Sequence, residues 1–136
     1  MREETPMSFD LFNLHSSITA GVKTLGFSTP TPIQREAIPP VMEGRDVMGL
    51  AQTGTGKTAA FALPILHRLM ARPPGKVRAL VLAPTRELTE QTHNAIGQMG
   101  RSTRLRSAAI YGGVGMQPQV DALRRGVDIV AACPGR

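Results

Sequence analysis

The stretch Ala51-Gln52-Thr53-Gly54-Thr55-Gly56-Lys57-Thr58 decides the fold of this chain. It follows an apolar run and precedes a helical pattern, which is the context of a phosphate-binding loop. Its two glycines let the backbone approach a polyphosphate, whose charge the successive N–H groups would bind. Lys57 would then reach the β- and γ-phosphates, and the Thr58 hydroxyl would hold Mg²⁺. The general pattern begins with Gly where this chain has Ala51, so a flexible glycine turn with a solvated lysine is the alternative.

Length and composition indicate one modest domain. The chain has 136 residues, of which 41% are hydrophobic, enough to form a core. No apolar run approaches the roughly 20 residues of a membrane-spanning helix. The N-terminus also lacks the apolar segment of a signal peptide. We therefore expect no membrane association.

The charge balance is basic, with a formal net charge of +6 and a pI of about 10.7. It favours a polyanionic partner such as nucleic acid; the alternative is that it reflects one part of a longer protein.

Cys133 is the only cysteine, which excludes an intramolecular disulfide and predicts a reducing, cytoplasmic location. The three histidines show no metal-ligand spacing with Cys133. Residues 1–8 are polar, and we expect them to be flexible.

Apolar periodicity alternates between helical and strand patterns along the chain. Gly26 is expected to end the first helix, and Thr31 with Pro32 to begin the second. Prolines 39 and 40 should break or bend the second helix, and Pro64 should kink the third. The patterns predict helices over 13–25, from 32, after 56, over 86–99 (anchored by Leu88 and Ile96) and over 117–123, and strands over 46–51, 79–83, 105–111 and 127–132.

This alternation predicts a parallel, doubly wound α/β sheet flanked by helices. Ligands of such sheets bind beyond the carboxyl ends of the strands. The loops 84–87, 111–115 and 133–136 are expected there beside the phosphate loop. Hydrolysis would also need a strand that ends in an acidic residue to support the metal ion, and none of the remaining predicted strands ends in one. The residues alone therefore predict nucleotide and Mg²⁺ binding without a visible catalytic acid.

Several stretches together resemble one family, the DEAD-box ATP-dependent RNA helicases. The stretch from Gly26 to Gln34 is similar to the family's Q motif, and Phe9 lies 17 residues before Gly26, where the family keeps an aromatic. The resemblance implies that the Gln34 carboxamide pairs with the adenine edge and that Phe9 stacks on the ring, with Phe27 also in the nucleotide site. The expected ligand is ATP, because the carboxamide can pair with adenine N6 and N7.

Residues 51–58 resemble the family's motif I, in which Ala stands at the first position. The resemblance implies that Ala51, Gln52, Thr53, Gly54, Thr55, Gly56, Lys57 and Thr58 all line the ATP site. Lys57 and Thr58 would be the catalytic pair, with Thr58 as the Mg²⁺ ligand. The domain expected from the resemblance is a partial RecA-like ATP-binding domain over 9–136, with the Q motif over 9–34 and the phosphate loop over 51–58.

Three further elements resemble RNA-binding motifs of the family. They resemble motif Ia, the GG element and motif Ib, and each alone could be an ordinary turn or a solvated helix residue. The resemblance implies contacts with the RNA sugar–phosphate backbone that do not read bases. Cys133 replaces the threonine usual in motif Ib, so Arg136 is the better candidate contact. The implied RNA-binding residues are Pro84, Thr85, Arg86, Gly112, Gly113, Pro134, Gly135 and Arg136.

The resemblance implies further parts that these 136 residues do not contain. The family's Asp-Glu-Ala-Asp and Ser-Ala-Thr motifs and its second RecA-like domain would follow Arg136. Two strands bearing those motifs would lie between strand 46–51 and the other three. Without them, exposed strand edges should leave the chain marginally stable or associating. The alternatives are a nucleotide- and RNA-binding fragment without activity, and a kinase or other ATPase with a phosphate loop.

Overall fold

The structure is a computed structural model that describes residues 8–136. The predicted flexible segment 1–8 therefore lies, except for Ser8, outside the described residues. A short 3-10 helix at Phe9–Phe12 precedes the regular elements. The helices are α1 Ser16–Thr24, α2 Pro32–Met42, α3 Lys57–Met70, α4 Arg86–Met99 and α5 Met116–Arg125, and the strands are β1 Ala79–Leu82, β2 Ser107–Ile110 and β3 Ile129–Ala132.

The three strands form one parallel sheet in the order β1-β3-β2. Ala79 of β1 and Ser107 of β2 both lie opposite Ile129 of β3. A helix precedes or follows every strand, so the predicted parallel α/β architecture is confirmed. β3 is the central strand and is buried almost throughout, as expected for a parallel strand covered on both faces.

The predicted strand over 46–51 does not form. The segment has no regular structure, and Met48 and Leu50 are 89% and 87% exposed. A strand requires a neighbour for its N–H and C=O groups, and no strand of residues 8–136 pairs with this segment. The nearest candidate edge is that of β1, whose Leu80 and Leu82 are also exposed. The prediction of a strand over 46–51 was therefore wrong for the described residues, because no neighbouring strand among them could order the segment.

The main core lies where α3 packs against α1, α2 and β3. Leu63 and Leu66 of α3 are fully buried, together with Ile18 of α1, Ile38 of α2 and Ile129 of β3. Burying side chains of this size contributes about 1.5–3 kcal/mol each. This packing fixes the first turn of α3, and hence the phosphate loop, relative to the sheet.

Two helix boundaries differ from the sequence-based ones. Helix α1 begins at Ser16 rather than Asn13, because Asn13 has the left-handed φ of 51° and His15 caps the helix by accepting a hydrogen bond from the Ser17 N–H. Helix α2 continues through Pro39 and Pro40 to Met42. Ile38 just before the prolines is fully buried, and this packing favours the helix although the prolines cannot donate two of its hydrogen bonds. Gly26, with φ 76°, ends α1 as predicted.

The remaining differences are smaller. Helix α4 has the predicted bounds, but Leu88 is exposed on it while Ile96 is buried. Leu88 lines a groove beside the phosphate loop instead of the core. Helix α5 is longer than predicted and buries none of its side chains completely.

Candidate functional site at the phosphate loop

The loop before α3 has the backbone geometry of an anion cradle. Gly54 and Gly56 have φ angles of 80° and 85°, a region that only glycine adopts without strain. Gly56 is the N-cap of α3, and no side chain caps the helix. The first N–H groups of α3 therefore point outward with the positive end of the helix dipole, as a bound phosphate requires.

The loop's own side chains bond back to its backbone. Lys57 Nζ donates to the Ala51 carbonyl oxygen at 2.7 Å, and the Thr55 hydroxyl donates to the Gln52 carbonyl oxygen at 2.7 Å. Lys57 is exposed and Thr58 is half-buried at the first turn of α3. An ammonium and a hydroxyl at this position can serve phosphate and Mg²⁺, provided that Lys57 leaves the Ala51 carbonyl.

Gln34 links the Q-motif segment to the phosphate loop. Its Oε1 accepts a hydrogen bond from the Thr31 N–H at 3.0 Å, and its Nε2 donates to the Gly56 carbonyl oxygen at 3.1 Å. The side chain is buried, and a Cβ on Gly56 would collide with its Nε2. Gly56 is therefore required both for its φ angle and for the close approach of Gln34.

Phe9 and Phe27 form a stacked pair beside this link. Their ring centroids lie 6.2 Å apart with an interplanar angle of 24°, and the Phe12 ring meets the edge of Phe9. Phe9 is only 5% exposed, whereas Phe27 is 41% exposed. The two rings, Gln34, Gly54 and Gly56 line one cavity of about 360 Å³. Within it, Phe27 is the aromatic residue with a free surface for a base.

A groove of about 440 Å³ connects the phosphate loop with the carboxyl end of β1. Lys57 and Thr58 lie on one side, and Ala83 and Pro84 lie on the other. The lining of this groove is mainly apolar and includes no carboxylate. Among residues 8–136, no group of three or more His, Cys, Asp or Glu side chains could hold a metal ion.

The three loops predicted to contact RNA meet at the carboxyl edge of the sheet. Thr85 caps α4 by accepting a hydrogen bond from the Leu88 N–H, and the Arg86 guanidinium lies against Gly113, whose φ is 84°. Arg136 Nη1 donates to the Val114 carbonyl oxygen at 2.8 Å. The residues of this set, all exposed, are Pro84, Thr85, Arg86, Gly112, Gly113, Pro134, Gly135 and Arg136.

Cys133 does not extend this polar surface. Its Sγ lies 3.6 Å from the Pro84 carbonyl oxygen, a contact that holds two of the loops together. A thiol is a weak donor, so this contact contributes little polarity.

The Tyr111 hydroxyl donates a hydrogen bond to Glu90 Oε1 at 2.6 Å. This hydrogen bond, together with burial and the Glu90 charge, raises the pKa of the Tyr111 phenol.

Asp128, which the sequence patterns did not identify, is a buried carboxylate that accepts three hydrogen bonds. It is 1% exposed and lies just before β3. Its Oδ1 accepts from Arg78 at 2.7 Å and from the Gly75 N–H at 3.1 Å, and its Oδ2 accepts from the Arg106 N–H at 3.0 Å. A lone acid at the start of a buried apolar strand was the signal that could have identified it.

The environment of Asp128 decides its charge state. Burial alone would raise the pKa of the Asp128 carboxyl. The hydrogen bonds from the Arg106 N–H, Arg78 and the Gly75 N–H, with the Arg78 charge, outweigh burial and lower that pKa below its ordinary value. Asp128 is therefore an ionised structural clamp at the amino edge of the sheet, opposite the motif loops.

No helix formed by residues 8–136 combines the length and apolar character needed to cross a bilayer.

The chain is similar to known proteins along nearly its whole length. The family model described as DEAD/DEAH box helicase matches residues 31–136. ATP-dependent RNA helicase RhlB of Xanthomonas campestris is 45% identical over 138 residues, covering 97% of this chain and 24% of that protein. ATP-dependent rRNA helicase rrp3 of Sclerotinia sclerotiorum is 48% identical over 134 residues, covering 98% and 28%.

Solved structures show the same likeness in three dimensions. The RNA helicase Prp28 of Chaetomium thermophilum, solved bound to ADP, matches with a TM-score of 0.87 and 39% sequence identity. The match covers 96% of this chain and 33% of that chain. The chain thus spans less than a third of the length of either curated relative.

Proposed function

The chain belongs to the DEAD/DEAH box helicase family, and on that basis we propose that it forms the ATP- and RNA-binding part of an ATP-dependent RNA helicase. One observation carries the proposal. The phosphate loop, the cavity of Gln34 and Phe27, and the three motif loops all lie at the same end of one parallel sheet. A nucleotide and an RNA strand would therefore be held side by side on one surface.

The adenine end of the site would be the cavity between Phe27 and Gln34. The exposed face of Phe27 would stack on the base, with Phe9 supporting it from behind. Gln34 retains one amide hydrogen and one oxygen lone pair beyond its two internal hydrogen bonds. A carboxamide with both a donor and an acceptor free can pair with adenine N6 and N7, which favours ATP over GTP.

The phosphate end would be the open first turn of α3. When bound, ATP supplies the phosphoanhydride bond, and Mg²⁺ neutralises part of the negative charge of its phosphates. Lys57 would exchange the Ala51 carbonyl for a phosphate oxygen, and Thr58 would offer its hydroxyl to Mg²⁺. The glycines at 54 and 56 would allow the backbone N–H groups to approach the phosphates.

The RNA end would be formed by the three exposed loops. Arg86 and Arg136 would each pair with a phosphate, since a guanidinium binds such groups bidentately. The N-terminus of α4 behind Thr85 would add partial positive charge. Contacts of this kind read the sugar–phosphate backbone, so we propose that binding does not depend on base sequence.

A second candidate, binding without turnover, is favoured by the groove beside Thr58. Its lining includes no carboxylate that could orient water or support the metal ion. We propose that full helicase activity requires the acidic motifs and the second RecA-like domain that the family uses. We also propose a cytoplasmic location, because the single cysteine, Cys133, is free.

Nucleotide binding is the direct test. We would titrate the 136-residue chain with a fluorescent ATP analogue and Mg²⁺, comparing Lys57→Ala with the matched control Lys23→Ala. We expect Lys57→Ala to raise Kd at least about tenfold, since it loses a charge-assisted phosphate contact worth roughly 1.5–3 kcal/mol. Lys23 is exposed on α1, and its substitution should have no effect. Equal affinity of Lys57→Ala and the unchanged chain would refute the assignment of the phosphate loop.

Turnover separates the two candidates. In the 136-residue chain, we expect ATP binding without phosphate release, whether or not RNA is added. In a protein that also includes the acidic motifs and second domain, RNA should stimulate ATP hydrolysis, and Lys57→Ala should abolish it. RNA-stimulated hydrolysis by the 136-residue chain itself would show that a catalytic carboxylate exists among its own residues.

A further inference from the structure

Six exposed cations surround the amino edge of the sheet, on the side opposite the motif loops. We call them the basic rim: Lys76, Arg101, Arg104, Arg106, Arg124 and Arg125. Four of them lie in the loops that precede β1 and β2, and Arg124 and Arg125 end helix α5, just before β3. Within residues 8–136, none of the six has an ion pair or a side-chain hydrogen bond to another residue.

The Asp128 carboxylate ties together the segments that precede the three strands. Gly75 and Arg78 before β1, and Arg106 before β2, all bond to the Asp128 carboxylate. Gly126, which follows α5, approaches Gly75 so closely that a Cβ there would lie 2.9 Å from the Gly75 carbonyl oxygen. The rim is therefore set by the fold rather than by chance exposure of separate side chains.

The rim carries uncompensated charge. Asp128 is the only acidic residue in the stretches 75–78, 100–106 and 124–128, and it is buried and paired with Arg78. The six rim cations equal the chain's formal net charge of +6 in number. Stabilisation of a helix dipole could account for Arg124 and Arg125 in the last turn of α5. It does not account for the other four, which lie on loops.

We propose that the basic rim is a second RNA-binding surface that contacts phosphates and is separate from the motif loops. Five of its six cations are arginines, whose planar guanidinium matches a phosphate better than an ammonium does. Arg104 and Arg106 alternate along one chain segment, so both can face the same strand of nucleic acid. The stretches that carry the rim include no aromatic residue, so contacts are to the backbone rather than stacked bases.

The rim and the motif loops are separated by the length of the sheet. Four residues of β3 span about 13 Å, so one RNA must pass around the sheet, or two segments must bind, to occupy both surfaces. The amino edge of the sheet holds neither the phosphate loop nor a motif loop, so RNA bound to the rim would occupy a surface outside the site described under the proposed function.

The test compares two triple variants of the 136-residue chain. The rim variant is Arg104→Gln/Arg106→Gln/Arg125→Gln, and the control, with equal charge loss, is Lys23→Gln/Arg45→Gln/Arg68→Gln. Affinity for a long single-stranded RNA of mixed sequence is measured at several salt concentrations. We expect the rim variant to bind at least about tenfold more weakly and its log–log salt slope to fall by about 2, from three contacts at about 0.7 each. The control should change far less.

A further variant, Arg86→Gln/Arg136→Gln, separates this proposal from the motif-loop site. If the two surfaces bind RNA independently, the losses of binding free energy in the motif-loop variant and in the rim variant should add when the two sets of substitutions are combined. Wild-type RNA affinity and salt slope in the rim variant would overturn the proposal, even if the motif-loop variant loses binding. Binding of polyglutamate, a model of an acidic protein, is measured on the same variants. If the rim variant loses polyglutamate binding but keeps RNA binding, the proposal is overturned in favour of an acidic protein partner. Unchanged binding of the ATP analogue by the rim variant shows that it is folded.

Discussion

Two short apolar segments of this molecule differ in structure. Residues 129–132 form β3, paired on both sides and buried, whereas residues 46–51 remain irregular and exposed. Both have strand-like sequences. The difference is that β3 lies between two neighbouring strands, while segment 46–51 has no neighbour within residues 8–136.

The comparison shows that apolar sequence supplies the tendency to form a strand and partners supply the structure. β3 is held at its start by Asp128, which fixes the loops before β1 and β2 to the same point. Segment 46–51 leads directly into the phosphate loop, so the proposed phosphate site follows a segment that has no strand neighbour among residues 8–136.

The largest effect is expected for Asp128→Ala. It removes the acceptor of three hydrogen bonds and leaves the largely buried Arg78 charge unpaired. Breaking a buried ion pair by removing one partner costs roughly 3–5 kcal/mol. Urea unfolding should show this loss, and Asp46→Ala, on the exposed segment, serves as control. Equal unfolding midpoints for the two variants would contradict the clamp.

The next effect is expected for Ile129→Ala in the centre of the sheet. Ile129 is fully buried and belongs to the main core, so the substitution leaves a cavity. We expect a loss of about 2–5 kcal/mol in the free energy of unfolding, measured by urea denaturation. A loss below about 1 kcal/mol in the free energy of unfolding would indicate that β3 does not stabilise the fold more than segment 46–51 does.

Acidity should weaken the clamp in a defined direction. Because the folded state lowers the pKa of Asp128, the unfolded state binds its proton more readily, and folding stability falls as pH falls through the range below about 4. The stability gap between the unchanged chain and Asp128→Asn should be widest near neutral pH and close as Asp128 protonates. Unfolding measured at pH 7 and pH 3 gives both gaps; a gap that is the same at both values would argue against an ionised Asp128.

The smallest effect on stability is expected for Leu50→Lys in segment 46–51. Leu50 is 87% exposed, so the free energy of unfolding should change by no more than about 0.5 kcal/mol. The same substitution removes exposed apolar surface and should reduce self-association measured by light scattering. A loss as large as that of Ile129→Ala would mean that segment 46–51 is ordered against the sheet in solution.

The sequence was sufficient where local chemistry leaves few choices, but not at the start of α1, where it did not show the left-handed Asn13 or the His15 cap. The loop–helix junctions were predicted from Gly56, Lys57 and the proline at the start of α2. Glycine accepts the left-handed backbone before a helix, and proline favours the first position of a helix. The sequence was insufficient where long-range partners decide the outcome. The missing neighbour of segment 46–51 and the three bonds of Asp128 depend on residues up to 53 positions away, which no local pattern encodes.

The candidate site shows the same division. The motif residues predicted to lie together do so around the phosphate loop and at the carboxyl edge of the sheet. The pattern could not show that Phe9 is covered by Phe27 and Phe12, or that Gln34 is already bonded to Gly56. Those contacts arise from packing between segments that are distant along the chain. Ligand roles for these residues remain predictions.

The strand order β1-β3-β2 also constrains when this protein can fold during its synthesis. β1 and β2 leave the ribosome first, but neither pairs with the other. Both pair only with β3, whose last residue is Ala132. The nascent chain therefore carries two unpaired strands and an unpaired Arg78 until translation has passed residue 132. Unpaired strand edges of this kind favour aggregation throughout that interval.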